Sequence, residues 1–382
     1  MMTMATKGEI FREKLEAYLS GSKEEKGRIL DSVCDIIGCH RKAAIRRFKT
    51  LQMRHASSHD QRGRKTVYDP AVTAALRELW ETGNRICAER LHPQLAEYVN
   101  ILKRDRMWAY DEATTAKLLL VSLATAKRRI AKFENIKKRG GRSTKPSDLK
   151  EIIPVRRGPW QNPPPGYGEV DTVAHCGSTI MGDFAYTVQY TDVSTIWTCL
   201  AAQWQKGEKA TLKSIERIEN RLPFPMKGID PDSGSEFINW HLKEWCNGRK
   251  VEMTRTRPYM KNDHARIEQK NYANVRHFVG YHRFDKSASV VLLSELYNIL
   301  EDYINFFLPS VKCVEKVRRR SRTVRKYDKA QTAYARVLVH PDIAEDTKEK
   351  LRQKYDKLNP VILKQKCDRI IEKLLKIRSR LR

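Results

Sequence analysis

The sequence predicts an α/β core, a mixed five-stranded sheet flanked by helices, with helical units before it and a basic, mainly helical region after it. Three observations carry this. After Gly166, β-prone runs separated by tight turns give way to alternating strands and amphipathic helices, the order of an α/β sheet. Before Pro165, apolar residues recur at helical spacing. Lys and Arg number 74 against 46 Asp and Glu, a formal charge of +28, and they crowd into the helical parts and both ends of the core.

A chain of 382 residues suggests two to three domains at roughly 150 residues each. Hydrophobic residues make up 40%, enough for a sizeable core, yet no apolar run approaches the ~18 residues that would span a bilayer. The start, MMTMATKGEI, lacks the apolar stretch of a secretory signal, so a soluble intracellular protein without membrane partners is expected. Eight scattered cysteines with no CxxC fit a reducing compartment. Cys34-x4-Cys39 with His55-x3-His59 loosely has zinc-module spacing, but the gap between the pairs is long, and no zinc site is expected. The positive charge points to a polyanion, nucleic acid first, because each phosphate neutralised by Lys or Arg releases condensed counterions.

Residues 1–56 read as three helices. Thr6 with Glu9, and Ser22 with Glu25, have capping-box spacing. The first opens a helix with Phe11, Leu15 and Tyr18 on one stripe; the second carries Ile29, Leu30, Val33, Ile36 and Ile37 and stops at Gly38. A third helix follows, with Arg41, Lys42, Arg46 and Arg47 around Ala44, Ile45 and Phe48. Two helices joined by a tight turn, the second basic, form a helix-turn-helix pattern, and those four cations are its candidate DNA contacts. A plain three-helix bundle with a solvated basic face is the alternative.

Residues 66–136 form a second helical unit. Asp69-Pro70 supplies a cap and a first-turn proline, and the pair from about Asp111 to Val121 and Leu123 to Phe133 is a weaker helix-turn-helix, with Lys127 and Arg128 as candidate contacts. Residues 137–165, KKRGGRSTKPS running to RRGPWQNPPPG, read as a flexible basic linker ending in a stiff segment. In the core, 166–310, strands are expected over Tyr167–Ala174, Asp183–Thr191 and Ser194–Ala202. A helix from about Gly207, a strand over Met226–Ile229, a helix over Ser235–Gly248, a strand over Val251–Thr254 and a long helix from Asp263 to Val279 complete it. The first three strands should form an antiparallel meander and the later two should run parallel. Residues 311–382 are basic again, RRRSRTVRK and then helical stretches, and are expected to touch phosphate.

In so basic a chain, three acids need a reason. Asp171 interrupts the first strand, GYGEVDTVA; Asp232 follows the fourth, in IDPDSGSEF; Glu268 shares a helix face with His264, Asn271 and Tyr272. A fourth strand parallel to the first would bring Asp171 and Asp232 together, and the long helix could deliver Glu268. Converging carboxylates require cations, and hard oxygen ligands select Mg²⁺ or Mn²⁺. Otherwise these are unrelated turn and surface acids. Asp230 rivals Asp232, and Glu236 is expected to support a helix N-terminus.

Asp171, Asp232 in D-S-G-S-E-F, and Glu268 with thirty-five residues between it and Asp232, resemble the D,D(35)E signature of the retroviral-integrase-like transposases. TRTRPYMKNDHARIEQKNYANVRHFVGY is similar to the matching stretch of bacterial insertion-sequence transposases, and the resemblance covers about Pro159 to Leu308. It implies a ribonuclease H-like fold and two metal ions, Asp171 and Asp232 holding one, Asp171 and Glu268 the other. It further implies hydrolysis at an element end, then attack of the freed 3′-hydroxyl on target DNA without a covalent protein intermediate. Lys270, Asn271 and Arg276 would lie near the DNA. The partners would be double-stranded DNA, both element ends and target, and further copies of the chain, in a bacterial cytoplasm at the nucleoid. The sequence departs from retroviral integrases in lacking a His-His-Cys-Cys zinc arrangement before the core and a small β-barrel after it. A nuclease that does not join strands and a DNA-binding regulator descended from a transposase are the competing readings.

Overall fold

The computed structural model describes residues 4–53, 67–133, 163–232, 234–254, 270–319 and 322–378. The chain forms two compact units, residues 1–67 and 68–382.

The small unit holds α1 (Met4–Glu13), α2 (Leu15–Ser20), α3 (Lys23–Ile37) and α4 (Arg41–Gln52). Thr6 does not cap the first helix, which already runs at Met4 and breaks at Lys14. The second capping box forms as expected: the Ser22 hydroxyl accepts from the Glu25 N–H, and the Glu25 carboxylate accepts from the Ser22 N–H. Gly38 ends α3 at φ +68°, a left-handed conformation that favours glycine, and His40 caps α4. Phe11, Leu30, Val33, Ile37, Ala44 and Phe48 make the core. His55 and His59 lie outside the described residues.

The large unit is built on one five-stranded sheet, ordered β3-β2-β1-β4-β5. Its strands are β1 (Tyr167–Ala174), β2 (Ala185–Asp192), β3 (Thr198–Trp204), β4 (Gly228–Pro231) and β5 (Glu252–Met253). β1, β2 and β3 pair antiparallel, while β4 and β5 run parallel to β1. This is the mixed sheet the element order predicts, with the topology of a ribonuclease H-like core. β3 starts later than expected because Asp192 closes a turn: its buried carboxylate accepts from the Thr195 N–H and hydroxyl, both at 2.7 Å, and from the Gly166 N–H. Helix α10 (Glu208–Glu219) crosses between β3 and β4, and α11 (Trp240–Arg249) between β4 and β5. α11 begins five residues beyond the predicted Ser235, where Asn239 accepts from the Leu242 N–H.

Of the long helix predicted over Asp263–Val279, residues 270–279 are described: a π-helical stretch, Asn271–Arg276, then the short α12 (His277–Val279). Helix α13 (Ala288–Phe307) packs on β3, where Glu301 accepts from the Leu200 N–H and Asn305 from the Thr198 N–H. Beyond it, the described part of the basic run forms an antiparallel ribbon, β6 (Cys313–Arg319) and β7 (Arg322–Tyr327), an element the sequence reading of a mainly helical region did not include. Three helices close the unit, α14 (Ala333–Val339), α15 (Glu345–Tyr355) and α16 (Pro360–Ile377).

The segment read from sequence as a separate second unit comprises α5 (Pro70–Thr82), α6 (Ala88–Leu91), α7 (Leu95–Arg104), α8 (Glu112–Leu119) and α9 (Leu123–Ile130). Its buried residues belong to one continuous core with the sheet and the last helices. Tyr98 donates its hydroxyl to the Phe307 carbonyl at 2.7 Å, and Tyr303 donates to that of Thr82. No helix among the described residues is long and apolar enough to cross a membrane.

Candidate active site

β1 lies at the centre of the sheet, hydrogen-bonded to β2 on one side and β4 on the other. Its parallel register with β4 runs from Tyr167 opposite Gly228 to Val170 opposite Pro231. The residues that follow this pairing are Asp171, still within β1, and Asp232, one residue past the end of β4. The period of two along a strand puts Glu169 on the face of Asp171, opposite Asp230, so three carboxylates lie on the paired strands and Asp232 follows just beyond them. The inner two are closed to solvent: Asp230 is fully buried and accepts from the Thr254 hydroxyl at 2.6 Å, and Glu169 is buried. Asp171 and Asp232 are half-buried, at the end of this row. Burial therefore favours Asp232 over its rival Asp230 as the group a ligand can reach.

Asp171 is held on both oxygens. Oδ1 accepts from the Thr172 N–H at 2.7 Å, and Oδ2 accepts from Asn271 Nδ2 at 2.5 Å. Asp232 Oδ1 accepts from the Gly234 N–H at 3.0 Å. The π-helical stretch is pinned to the sheet at two further points. Asn274 Nδ2 reaches the Thr198 hydroxyl at 3.4 Å, and Arg276 donates to the Ala174 carbonyl at 2.6 Å. Arg276 also lies over the Tyr281 ring, 4.9 Å from its centroid. This guanidinium braces the end of β1, and Asn271 orients Asp171; sequence alone had offered both as DNA contacts. Lys270 is half-buried at the start of the same segment. Glu268 and His264 lie outside the described residues.

Glu236 is the residue that sequence reasoning misjudged. It does not support the N-terminus of α11, which Asn239 caps. Its carboxylate is buried: Oε1 accepts from Lys206 Nζ at 2.6 Å and from the Thr172 hydroxyl at 3.1 Å, while Oε2 is buried without a hydrogen-bond partner. It therefore ties the loop after Asp232 to the residue next to Asp171. A side chain at 234 would meet that carboxylate at 2.4 Å, which explains the glycine of D-S-G-S-E-F. The signal in the sequence was the acid itself, in an otherwise apolar S-E-F-I context.

His175, close along β1, is fully buried, and burial beside Arg276 pushes its pKa down to about 3. It is neutral at physiological pH, bonded through Nε2 to the Thr187 hydroxyl at 2.7 Å, and serves the core. Among the described residues no three His, Cys, Asp or Glu side chains gather as a metal cage. The donor set of Asp171 and Asp232 still fits a hard divalent cation: two adjacent carboxylates, each with oxygen lone pairs, repel unless a positive charge sits between them.

The other candidate cations divide by unit. Arg41, Lys42, Arg46 and Arg47 are exposed on α4, with Arg41 paired to Asp31. Lys127 and Arg128 are exposed on α9, where Lys127 pairs with Glu89 at 2.8 Å and Arg128 donates to the Thr125 hydroxyl at 3.1 Å.

Fold and site together define a class, an α/β protein of ribonuclease H-like topology whose central strand and its parallel neighbour lead into paired aspartates. Over 330 residues the chain is 36% identical to the uncharacterized protein y4rM of Sinorhizobium fredii (strain NBRC 101917 / NGR234), a match covering 85% of this chain and 93% of the relative. The chain belongs to the family of that protein. No protein-family profile matches it. A solved structure similar in part is that of the HTLV-2 integrase catalytic core domain in complex with magnesium (trimeric form), with 13% sequence identity and a TM-score of 0.28 over 37% of this chain and 86% of that one.

Proposed function

We propose that this protein is a DNA transposase of the D,D(35)E kind, a polynucleotidyl transferase that cuts at the ends of a mobile element and joins them to target DNA. The observation that supports the reading is the β1–β4 register, whose last pair, Val170 with Pro231, immediately precedes Asp171 and Asp232. Three peptide units lead from Asn271, which grips Asp171, back to Glu268, a reach of about 11 Å at most. Asp171 and Asp232 would hold one Mg²⁺ or Mn²⁺, and Asp171 and Glu268 a second. Such ions, when bound, activate the attacking oxygen and neutralise charge on the phosphate and leaving oxygen.

The chain's own contribution is positioning. Asn271 and the Thr172 N–H fix the Asp171 carboxylate, the Glu236–Thr172–Lys206 contacts fix the loop carrying Asp232, and neutral His175 takes no part in proton transfer. The reaction is two successive in-line displacements at phosphorus. Water releases a 3′-hydroxyl at the element end, and that hydroxyl attacks the target strand. The α3–α4 pair would recognise the ends, α4 presenting Lys42, Arg46 and Arg47 to the groove. Residues 137–165 as a linker would let one copy act on DNA held by another, so the working form is an oligomer on paired ends. The site of action is the bacterial nucleoid.

The test uses purified full-length protein, Mg²⁺ or Mn²⁺, and labelled DNA from both borders of its own gene, with Asp171→Asn and Glu268→Gln in parallel. Border-specific nicking and joined products that vanish in both variants support the reading. Nicking without joining would make the protein a nuclease, and tight border binding with no cleavage in any form would make it a regulator.

A further inference from the structure

The ribbon β6–β7 stands apart in its chemistry. Residues 313–327 contain seven Lys and Arg against one Glu. The strand register sets Lys316 opposite Arg325 and Arg319 opposite Arg322. Like charges directly opposite each other destabilise a strand pair. The described side chains leave both faces of the ribbon open: Val317 and Val324, opposite each other on one face, are 39% and 48% exposed, and Tyr327 on the other face is 50% exposed. A two-stranded ribbon with no covered face is marginal in water.

The base of the ribbon is firmly mounted all the same. Asp328 accepts from the Lys312 N–H at 2.6 Å and from Arg336 at 2.5 Å, and Arg336, itself buried, also donates to the Ser310 carbonyl at 3.0 Å. A bridge between Ser310 and Gln331 closes the stem. The fold thus holds out, on a fixed stem, an element with two like-charge pairs across its strands and one attractive pair, Glu315 with Lys326 at 3.8 Å, near its base. That arrangement makes sense when an anionic partner neutralises the ribbon.

We infer that β6–β7 is a DNA-binding arm that enters the major groove of a duplex. The major groove admits a two-stranded ribbon, and seven strand residues at about 3.4 Å each span some 24 Å, roughly two-thirds of a helical turn. A single aromatic, Tyr327, is too few for a platform on which successive single-stranded bases stack. Pairing with a second copy's ribbon would bring like charges together, the device by which sheet edges resist association. The inference rests on the reading of this chain as a DNA-handling protein and adds the element that holds the duplex.

The test compares full-length wild type with Lys316→Gln/Arg318→Gln/Arg325→Gln on a 30-base-pair duplex without metal, by fluorescence anisotropy across a salt series and by dimethyl sulfate protection of guanine N7. The expected result is tenfold to hundredfold weaker binding at 150 mM salt, a slope of log K against log salt shallower by about 2 to 3, and loss of a patch of N7 protection. Thermal unfolding should not move, since the ribbon packs on no core, and Arg318→Lys/Arg325→Lys should retain the wild-type slope. Equal affinity and slope in the Gln variant, with a wild type that binds, would overturn the arm while leaving the transposase reading intact. A wild type that binds no duplex would instead overturn that reading. Ribbon-dependent capture by phosphatidylserine vesicles, with duplex binding unchanged, would assign the arm to membranes and overturn the inference.

Discussion

The two helix-turn-helix-like pairs, α3–α4 and α8–α9, look alike in sequence and differ in what surrounds them. α4 packs on three other small helices through Ala44 and Phe48 and leaves Lys42, Arg46 and Arg47 exposed. α9 buries Ala126 and Ile130 in the core shared with the sheet. Its cations are engaged locally: Lys127 pairs with Glu89, and Arg129 donates to the Tyr68 carbonyl at 2.8 Å and lies over the Tyr68 ring. α4 thus spends one cation, Arg41, on a pair with Asp31 and leaves Lys42 and Arg47 exposed, while α9 uses Lys127 and Arg129 to seat a helix on the larger core.

The comparison can be broken most strongly through the small core. Phe48 is fully buried, stacked on Tyr18 at 4.1 Å between ring centroids and edge-on to Phe11 at 5.1 Å. Phe48→Ala should cost about 3–5 kcal/mol and melt the small unit alone, seen by calorimetry as an early transition with the large one unmoved. A single shifted transition would show that the units unfold together. Next, Arg46→Ala/Arg47→Ala should weaken border-DNA binding about tenfold to a hundredfold with no change in either melting transition, whereas Lys127→Ala/Arg128→Ala should change it less than threefold. Equal losses from both would erase the distinction.

Acidity gives a further separation. Burial pushes the Glu301 carboxyl up to about 7, against the pull of Arg221 at 3.1 Å. A carboxyl whose folded pKa lies above its unfolded value stabilises the fold at low pH and loses that contribution as pH rises from about 4.5 to 7. The melting temperature of the large unit, wild type minus Glu301→Gln, should therefore fall across that window, and the small unit should not respond. A flat difference would place Glu301 ionised throughout. The smallest effect is at the cap: Ser22→Ala should cost the small unit about 1 kcal/mol, read by denaturant unfolding.

Much of this was legible in the sequence where one physical rule acts alone. β1 is a β-prone run bounded by turn residues, and the strand after a helix must run parallel to it, so its bounds and its parallel neighbour follow from element order. β3 was placed too early because the β-prone residues after Asp192 belong to a turn that the Asp192 side chain closes on Thr195. The β6–β7 ribbon buries neither face, so no apolar alternation marks it among the arginines. Glu236 escaped because its role depends on Thr172, sixty-four residues away in sequence, at 3.1 Å. The enclosure of α5–α9 within the large core was equally invisible, since helical periodicity marks an apolar face without naming what covers it.

The place of β1 in the sheet has a mechanical consequence. Asp171 follows residues bonded to strands on both sides, while Asp232 sits where β4 has ended and a glycine-containing loop begins. The two aspartates are anchored differently, Asp171 by a strand bonded on both sides and Asp232 by side-chain contacts of the loop that follows it. Amide hydrogen exchange should register this directly, slow along β1, with Glu236→Gln speeding exchange at Gly234 and leaving β1 unchanged. In the reaction proposed above, water and then a DNA end would act in turn at one site, with one carboxylate carried by a strand bonded on both sides and the other by a loop tied back through Glu236.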